Sequence, residues 1–312
     1  MFVGHGLVAF SIAASIASSR GWTVERALAV GLLAGLFAML PDVDMLYAVV
    51  GIIVSLEGGF VTSEAFWTVT NEVHRGPTHS LIVGAIAAIG FAGWRARADF
   101  LSGAIGVVAL FGLVALGVAV SGPIPGAIVA AFALAGIGIV ALGERFGLGA
   151  PAVFGAAALG LLTHPLEDVL AGPSPAFLYP FEISLLREQV SLHPDPTLHL
   201  LGALLIELAT IWAALVVFAR LYGWRLRHHA NPRAALGLGY VGAVFVIPAP
   251  TVEVASPFVF SVLAVGLVGV PIRARWRRED SIERIVDTVT TALSAVTLAA
   301  LAYGAAYLVV VA

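Results

Sequence analysis

The sequence predicts an all-α protein, a polytopic bundle of transmembrane helices, and three observations carry that expectation. The 312 residues are 60% hydrophobic, against about 45–50% in an ordinary globular chain. Only 11% are charged, too few to cover a water-soluble surface, where about 25% is usual. Apolar stretches that can cross a hydrocarbon core of roughly 30 Å recur along the whole chain, separated by short segments rich in Arg, Pro or Gly.

Taken in order, the hydropathy places about ten spans, at 3–19, 27–41, 80–95, 100–120, 123–142, 150–166, 198–219, 236–252, 256–271 and 285–311. The first carries no basic flank and no small-residue cleavage site, so it is expected to stay in the mature protein. Residues 45–56 are apolar but too few for a full crossing, which predicts a short re-entrant or interfacial helix after the second span. Gly31, Gly35, Gly155 and Gly160 are read as small-residue packing faces between helices. A polar, proline-rich stretch at 171–196 separates six spans from four. It predicts a membrane-embedded core over 1–197 and a four-span helical extension over 198–312.

The connections between spans fall alternately on two sides. One side collects fourteen of the sixteen arginines, leaving Arg75 and Arg187 opposite, and the chain has no lysine. Short cytoplasmic loops carry the excess of basic residues. The arginine-rich side is therefore expected to be cytoplasmic, with both termini outside, in a multi-pass protein of the cell membrane. A full span at 45–56 would invert everything after it and erase the asymmetry.

The same parity brings His5, Asp42, Asp44, His74, Arg75, His79, His164 and Asp168 to the outer side, from separate places in the sequence. With no cysteine, thiolate ligands and cysteine nucleophiles are excluded, and a metal would be held by imidazole and carboxylate. Such donors suit zinc, manganese or non-haem iron. In LPDVD, Asp42 and Asp44 would point the same way if the segment were locally extended; the plainer alternative is a polar turn with a helix cap. In HRGPTHS, Gly76 and Pro77 are expected to break the chain and start a helix, which puts Thr78, His79 and Ser80 in a first turn whose free N–H groups favour anions. Arg75 could grip a phosphate or carboxylate with two prongs. In THPLED, His164 and Asp168 are one helical turn apart and would share a face, although Pro165 disfavours helical backbone at His164. Glu167 falls on an adjacent face. His193, Asp195 and His199 form a looser group read as a solvated loop, Glu207 is an intramembrane acid expected to face the bundle interior, and His228 and His229 belong to a basic, headgroup-facing loop.

The order of these motifs, His5, then PDVD at 41–44, HRGPTHS at 74–80, HPLED at 164–168 and YPF at 179–181, resembles the LexA-binding, inner-membrane-associated hydrolases, also called membrane-bound metal-dependent hydrolases. The resemblance covers roughly residues 1–185 and leaves the last four spans outside it. Pro165 departs from the family pattern, which more often has residues compatible with uninterrupted helix there. What the resemblance implies is a metal-dependent hydrolase. The expected ligands are His5, Asp42, Asp44, His79, His164 and Asp168, with His74, Arg75, Thr78 and Ser80 as catalytic groups. One or two divalent ions, zinc or manganese first, would activate water against a lipid-linked phosphoester or ester. The expected partners are membrane lipids and a lipid-linked or phosphorylated small substrate, not nucleic acid. A divalent-cation transporter and a non-catalytic membrane scaffold are the alternatives; a transporter would carry its ionisable groups nearer mid-span.

Overall fold

The computed structural model describes residues 2–47, 74–169, 174–186, 190–251, 255–271 and 281–311. Every regular element among them is helical. The expected helix at 45–56 falls almost entirely outside the described residues. The chain forms two compact units, Met1–Val190 and Ser191–Ala312.

The first unit contains α1 (Phe2–Ser19), α2 (Val24–Met39), α3 (Leu81–Arg95), α4 (Phe100–Ser121), α5 (Pro123–Arg145) and α6 (Ala150–Asp168), with 3-10 turns at Leu40–Leu46 and Pro77–His79. Local chemistry sets the helix starts. Thr23 accepts from the Arg26 N–H at 3.4 Å and Asp99 from the Ser102 N–H at 2.8 Å, satisfying donors that a helix start leaves open. Pro123 opens α5 after Gly122, whose φ of 93° favours a residue without a side chain.

The centre of this unit is α2, which packs on α1, α5 and α6 and buries nine of its sixteen residues. Two glycines let neighbouring helices approach it closely. A Cβ on Gly35 would lie 2.8 Å from the Gly6 carbonyl oxygen of α1, and one on Gly160 only 2.5 Å from both Ala34 O and Ala38 N of α2. These close crossings bring His5, beside Gly6, and His164, one turn beyond Gly160, against the end of α2. The reading of Gly31, Gly35 and Gly160 as packing positions holds; Gly155 faces open space.

The second unit contains α7 (Pro196–Leu221), α8 (Ala255–Ala264) and α9 (Ser281–Val311), with 3-10 segments at Leu226–His228, Pro232–Phe245 and Val265–Gly269. Its core gathers Leu200, Leu204, Leu208, Phe258, Val262, Leu293 and Tyr303. Asp195 caps α7 by accepting from the Leu198 N–H at 2.9 Å, and Pro196 takes the first helical position. His193 and His199 complete this turn, their Nδ1 atoms accepting from Asp195 N and Leu192 N. The group read as a solvated loop is thus a helix cap, with His199 buried.

Eight of the ten expected spans fall on these α-helices, and a ninth, 256–271, is α-helical to Ala264 and 3-10 over Val265–Gly269. Five helices, Val24–Leu46, Phe100–Ser121, Pro123–Arg145, Pro196–Leu221 and Ile282–Val310, are long and apolar enough to cross a membrane, and Val3–Ser19, Leu81–Arg95 and Ala255–Gly269 are shorter apolar helices. The segment expected at 236–252 differs. It is a 3-10 helix that starts at Pro232 and ends at Phe245. The tighter form stretches the chain, so at about 2.0 Å per residue its fourteen residues cover roughly 28 Å, near the thickness of a hydrocarbon core.

Candidate metal centre

Six of the expected residues meet in the first unit, on the ends of α1 and α6, on the Leu40–Leu46 turn that follows α2 and on the Pro77–His79 turn. His5, Asp44, His79, His164 and Asp168 are buried and Asp42 is half-buried. The imidazole rings follow one another in a row, tilted or edge to face, with centroids 4.2 Å apart for His5 and His164, 4.7 Å for His164 and His79, and 5.0 Å for His79 and His74.

Each central imidazole is pinned on one nitrogen by an acceptor outside the row. His164 Nδ1 lies 2.6 Å from the Ala38 carbonyl oxygen; a carbonyl only accepts, so Nδ1 carries the proton and a neutral ring keeps a lone pair on Nε2. His5 Nδ1 donates to Glu167 Oε2 at 3.0 Å. His79 Nδ1 lies 3.3 Å from Asp44 Oδ2 and 3.1 Å from Thr78 Oγ1.

The remaining nitrogens turn inward onto two shared carboxylates. His79 Nε2 is 3.6 Å from Asp42 Oδ1 and 3.3 Å from Asp168 Oδ2. His164 Nε2 is 3.6 Å and 3.7 Å from the same two oxygens. His5 Nε2 faces the other oxygen of Asp168 at 3.3 Å. His79 Nε2, His164 Nε2 and Asp168 Oδ2 are buried with no hydrogen-bond partner among the described residues. Lone pairs aimed at carboxylate oxygens repel in a dry interior unless a cation lies between them.

The spacing between imidazole and carboxylate suits such a cation: two donors each about 2.1 Å from a tetrahedral metal sit about 3.4 Å apart, and His79 and His164 lie 3.3–3.7 Å from the Asp42 and Asp168 oxygens. Three overlapping groups could hold a metal ion, His5 with His164 and Asp168, Asp42 with His79 and His164, and Asp44 with His74 and His79, the donor atoms of each lying within 4.8 Å of one another. His79, ahead of the α3 span, feels the same demand for positive charge: burial lowers its pKa, but Asp168, Asp42 and Asp44 outweigh that and raise it well above the usual histidine value, so that without a metal a proton takes the cation's place.

Asp44 stands apart from Asp42. The expectation that both point one way assumed extended backbone, whereas Leu40–Leu46 is a 3-10 turn with a period of three. Asp42 enters the centre. Asp44 sits behind His79, accepting from the His74 ring at 3.0 Å, the Arg75 N–H at 3.3 Å and the Thr78 hydroxyl at 3.1 Å. Arg75 has φ 68°, a left-handed conformation unusual outside glycine, secured by that contact and by its carbonyl accepting from Ala176 N at 3.0 Å. Its Nε lies 3.7 Å from Asp168 Oδ2.

Ser80, expected among the catalytic groups, holds a capping position. Its hydroxyl donates toward Phe177 O and Tyr179 O and accepts from Ile82 N and Val83 N. It caps α3 and consumes N–H groups expected to favour an anion, while the Leu81 N–H goes to Phe177 O. The doubt attached to Pro165 also resolves: α6 runs through it to Asp168, and His164 and Asp168 share the face that meets the centre. Sequence reasoning left Glu167 on an adjacent face, yet it anchors His5, and the Ala38 carbonyl has no side-chain signal at all.

No curated protein and no solved structure matches the chain. The family described as YdjM inner membrane protein matches residues 1–309, so the C-terminal helices, which the motif resemblance leaves outside, lie within this family. With a helical fold, apolar helices of membrane-spanning length and a match over nearly its whole length, the chain belongs to the YdjM inner membrane protein family.

Proposed function

We propose that this protein is a membrane-bound metal-dependent hydrolase acting at the membrane face on a lipid-linked phosphoester. The observation that carries this reading is the set of three imidazoles whose outer nitrogens are pinned and whose inner nitrogens face Asp42 and Asp168 at 3.3–3.7 Å. His79, His164, Asp42 and Asp168 would hold a divalent ion, with His5 on the second oxygen of Asp168 as a ligand for a neighbouring one. The ion, when bound, acts as a Lewis acid that lowers the pKa of water and polarises the bond under attack. Asp44 and Glu167 fix the tautomers of His79 and His5, as outer carboxylates do for metal-bound imidazoles. Arg75 places a guanidinium at the rim, where it would bind the anionic group and stabilise developing charge.

A cavity of about 440 Å³ opens beside His74 and Arg75, lined also by Ser174, Phe181, Glu182 and Ile183. Phe181 and Ile183 are more than half exposed. A polar recess rimmed by exposed apolar side chains suits an amphiphile whose head reaches the metal and whose tail stays in lipid. The outer-face location rests on the arginine asymmetry; cysteines at Ser184 and Arg227 of this cysteine-free chain should be labelled from opposite sides by an impermeant reagent, with Ser184 accessible in intact cells.

The test is hydrolysis by purified protein loaded with zinc or manganese, assayed on a panel of lipid phosphoesters and esters beside Arg75→Ala. Wild type should turn over a phosphoester, and Arg75→Ala should keep its metal and lose about ten- to a hundredfold in rate, as expected for a charge-assisted contact of roughly 1.5–3 kcal/mol. Metal-loaded wild type that cleaves nothing in the panel but carries divalent ions across a liposome bilayer would replace the hydrolase reading with a transporter.

A further inference from the structure

The second unit contains a cavity of about 410 Å³ whose walls have nothing to do with the metal centre. It lies between the Leu226–His228 turn, the start of the Pro232–Phe245 segment and the early turns of α9. Four side chains of basic type face it, Arg233, Arg284, His228 and His229, and Asp287 is the acidic residue lining it among the described residues. Asp287 is engaged by the His229 ring, Nδ1 to Oδ1 at 2.6 Å, so the lining carries more positive than negative charge.

The walls are held by bonds rather than by loose loops. Thr291, buried on α9, accepts from the Asn231 N–H at 3.1 Å and donates to the His229 carbonyl at 3.4 Å. Arg233 is anchored on one edge, its Nη2 donating to Gly269 O at 2.6 Å. Its Nε is buried and has no hydrogen-bond partner among the described residues. Tied to Gly269 on that edge, the guanidinium is held in place at the cavity wall, where its charge favours an anion.

We infer that this cavity is a binding site for a phosphate group, with Arg233 and Arg284 as its charged contacts and the Thr288 hydroxyl as a further donor. Several cationic side chains around one recess fit a tetrahedral anion better than a single flat carboxylate, and basic pockets between membrane helices hold phosphate headgroups. The source of the phosphate is either an anionic lipid or a soluble phosphate; both present the same oxygens. This inference does not depend on the hydrolase reading, since none of its residues belongs to the metal centre.

Native mass spectrometry of the full chain, offered phosphatidylglycerol and phosphatidylcholine with the same acyl chains, tests it. Wild type should retain phosphatidylglycerol about thirtyfold better, the effect of two arginines near an anionic headgroup. Arg284→Gln and Arg233→Gln should each lose most of that preference, and Arg284→Gln serves alone if the loss of the Gly269 contact unfolds Arg233→Gln. Arg97→Gln, which removes an exposed arginine paired with Glu144, should retain it. Displacement of the lipid by millimolar inorganic phosphate would assign a soluble ligand, and resistance to it a lipid. Equal retention of the two lipids, an unchanged preference in Arg284→Gln, or an equal loss in Arg97→Gln would overturn the site.

Discussion

Both units pack rings together, and the contrast between them separates a site from a core. In the first, His5, His164, His79 and His74 follow one another at 4.2–5.0 Å. In the second, Phe258, Tyr240 and Tyr307 surround Tyr303 at 4.7–6.4 Å. Ring packing is similar, but the requirements are opposite. Phenyl and phenol faces are satisfied by apolar contact and edge-to-face geometry. Imidazoles pinned on Nδ1 leave Nε2 lone pairs aimed at carboxylates, an arrangement that gains stability only when a cation enters.

The sharpest break of that comparison is metal removal. Metal analysis of purified wild type should find bound divalent ion, and His79→Ala, which deletes one inward nitrogen, should lose it. At a free metal concentration a hundredfold above Kd, the ion contributes about 2.7 kcal/mol to stability. A chelator should therefore lower the melting temperature of wild type and leave His79→Ala unmoved. If His79→Ala binds as much metal as wild type, the inward nitrogens are not ligands and the first unit's row is only a polar core.

Next comes the close crossing that assembles the row. Gly160→Ala pushes a methyl into the backbone of α2 at 2.5 Å, and overpacking of this kind typically costs about 1–3 kcal/mol. Because His164 rides on the same helix, metal content should fall along with the melting temperature. Gly155→Ala, on the same helix but facing open space, should retain metal and gain up to about 1 kcal/mol from helix propensity. Equal behaviour of the two variants would disconnect the crossing from the site.

These glycines also mark what was legible in advance. Parity along the helices was enough to bring His5, Asp42, His79, His164 and Asp168 to one end, because hydropathy fixes where a helix emerges from lipid. It could not fix which way a short turn points its side chains. The split of Asp42 from Asp44 depends on the Leu40–Leu46 backbone being 3-10 rather than extended, and Pro41 is compatible with either. Ser80 stood among the catalytic groups that the resemblance implies, but serine is equally suited to capping, and the helix start holds it in that role. The Ala38 carbonyl was invisible, since every residue has one and only the crossing at Gly160 selects it.

A smaller effect is expected at Asp44, which supports His79 from behind. Asp44→Asn keeps an acceptor but removes the charge, so metal affinity should fall about ten- to a hundredfold with the number of ions at saturation unchanged. Titration with a fluorescent metal indicator reads both quantities. Loss of a full equivalent at saturation would instead make Asp44 a ligand, in the group with His74 and His79.

The smallest expected effect lies in the second unit and tests whether the centre of its ring cluster, at Tyr303, is apolar. The Tyr303 side chain is fully buried, and its hydroxyl has no hydrogen-bond partner among the described residues. An unsatisfied buried hydroxyl costs desolvation without return, so deleting it leaves no partner stranded and is neutral or favourable. Tyr303→Phe keeps the ring that packs 4.7 Å from Phe258. Its unfolding stability should therefore stay within about 0.5 kcal/mol of wild type or rise slightly, with metal content unchanged. Melting in detergent, followed by intrinsic fluorescence, measures it. A loss above about 1 kcal/mol would mean that the hydroxyl has a partner worth an ordinary hydrogen bond. The second unit would then hold a polar centre of its own, and the difference between the two sets of rings would be one of degree.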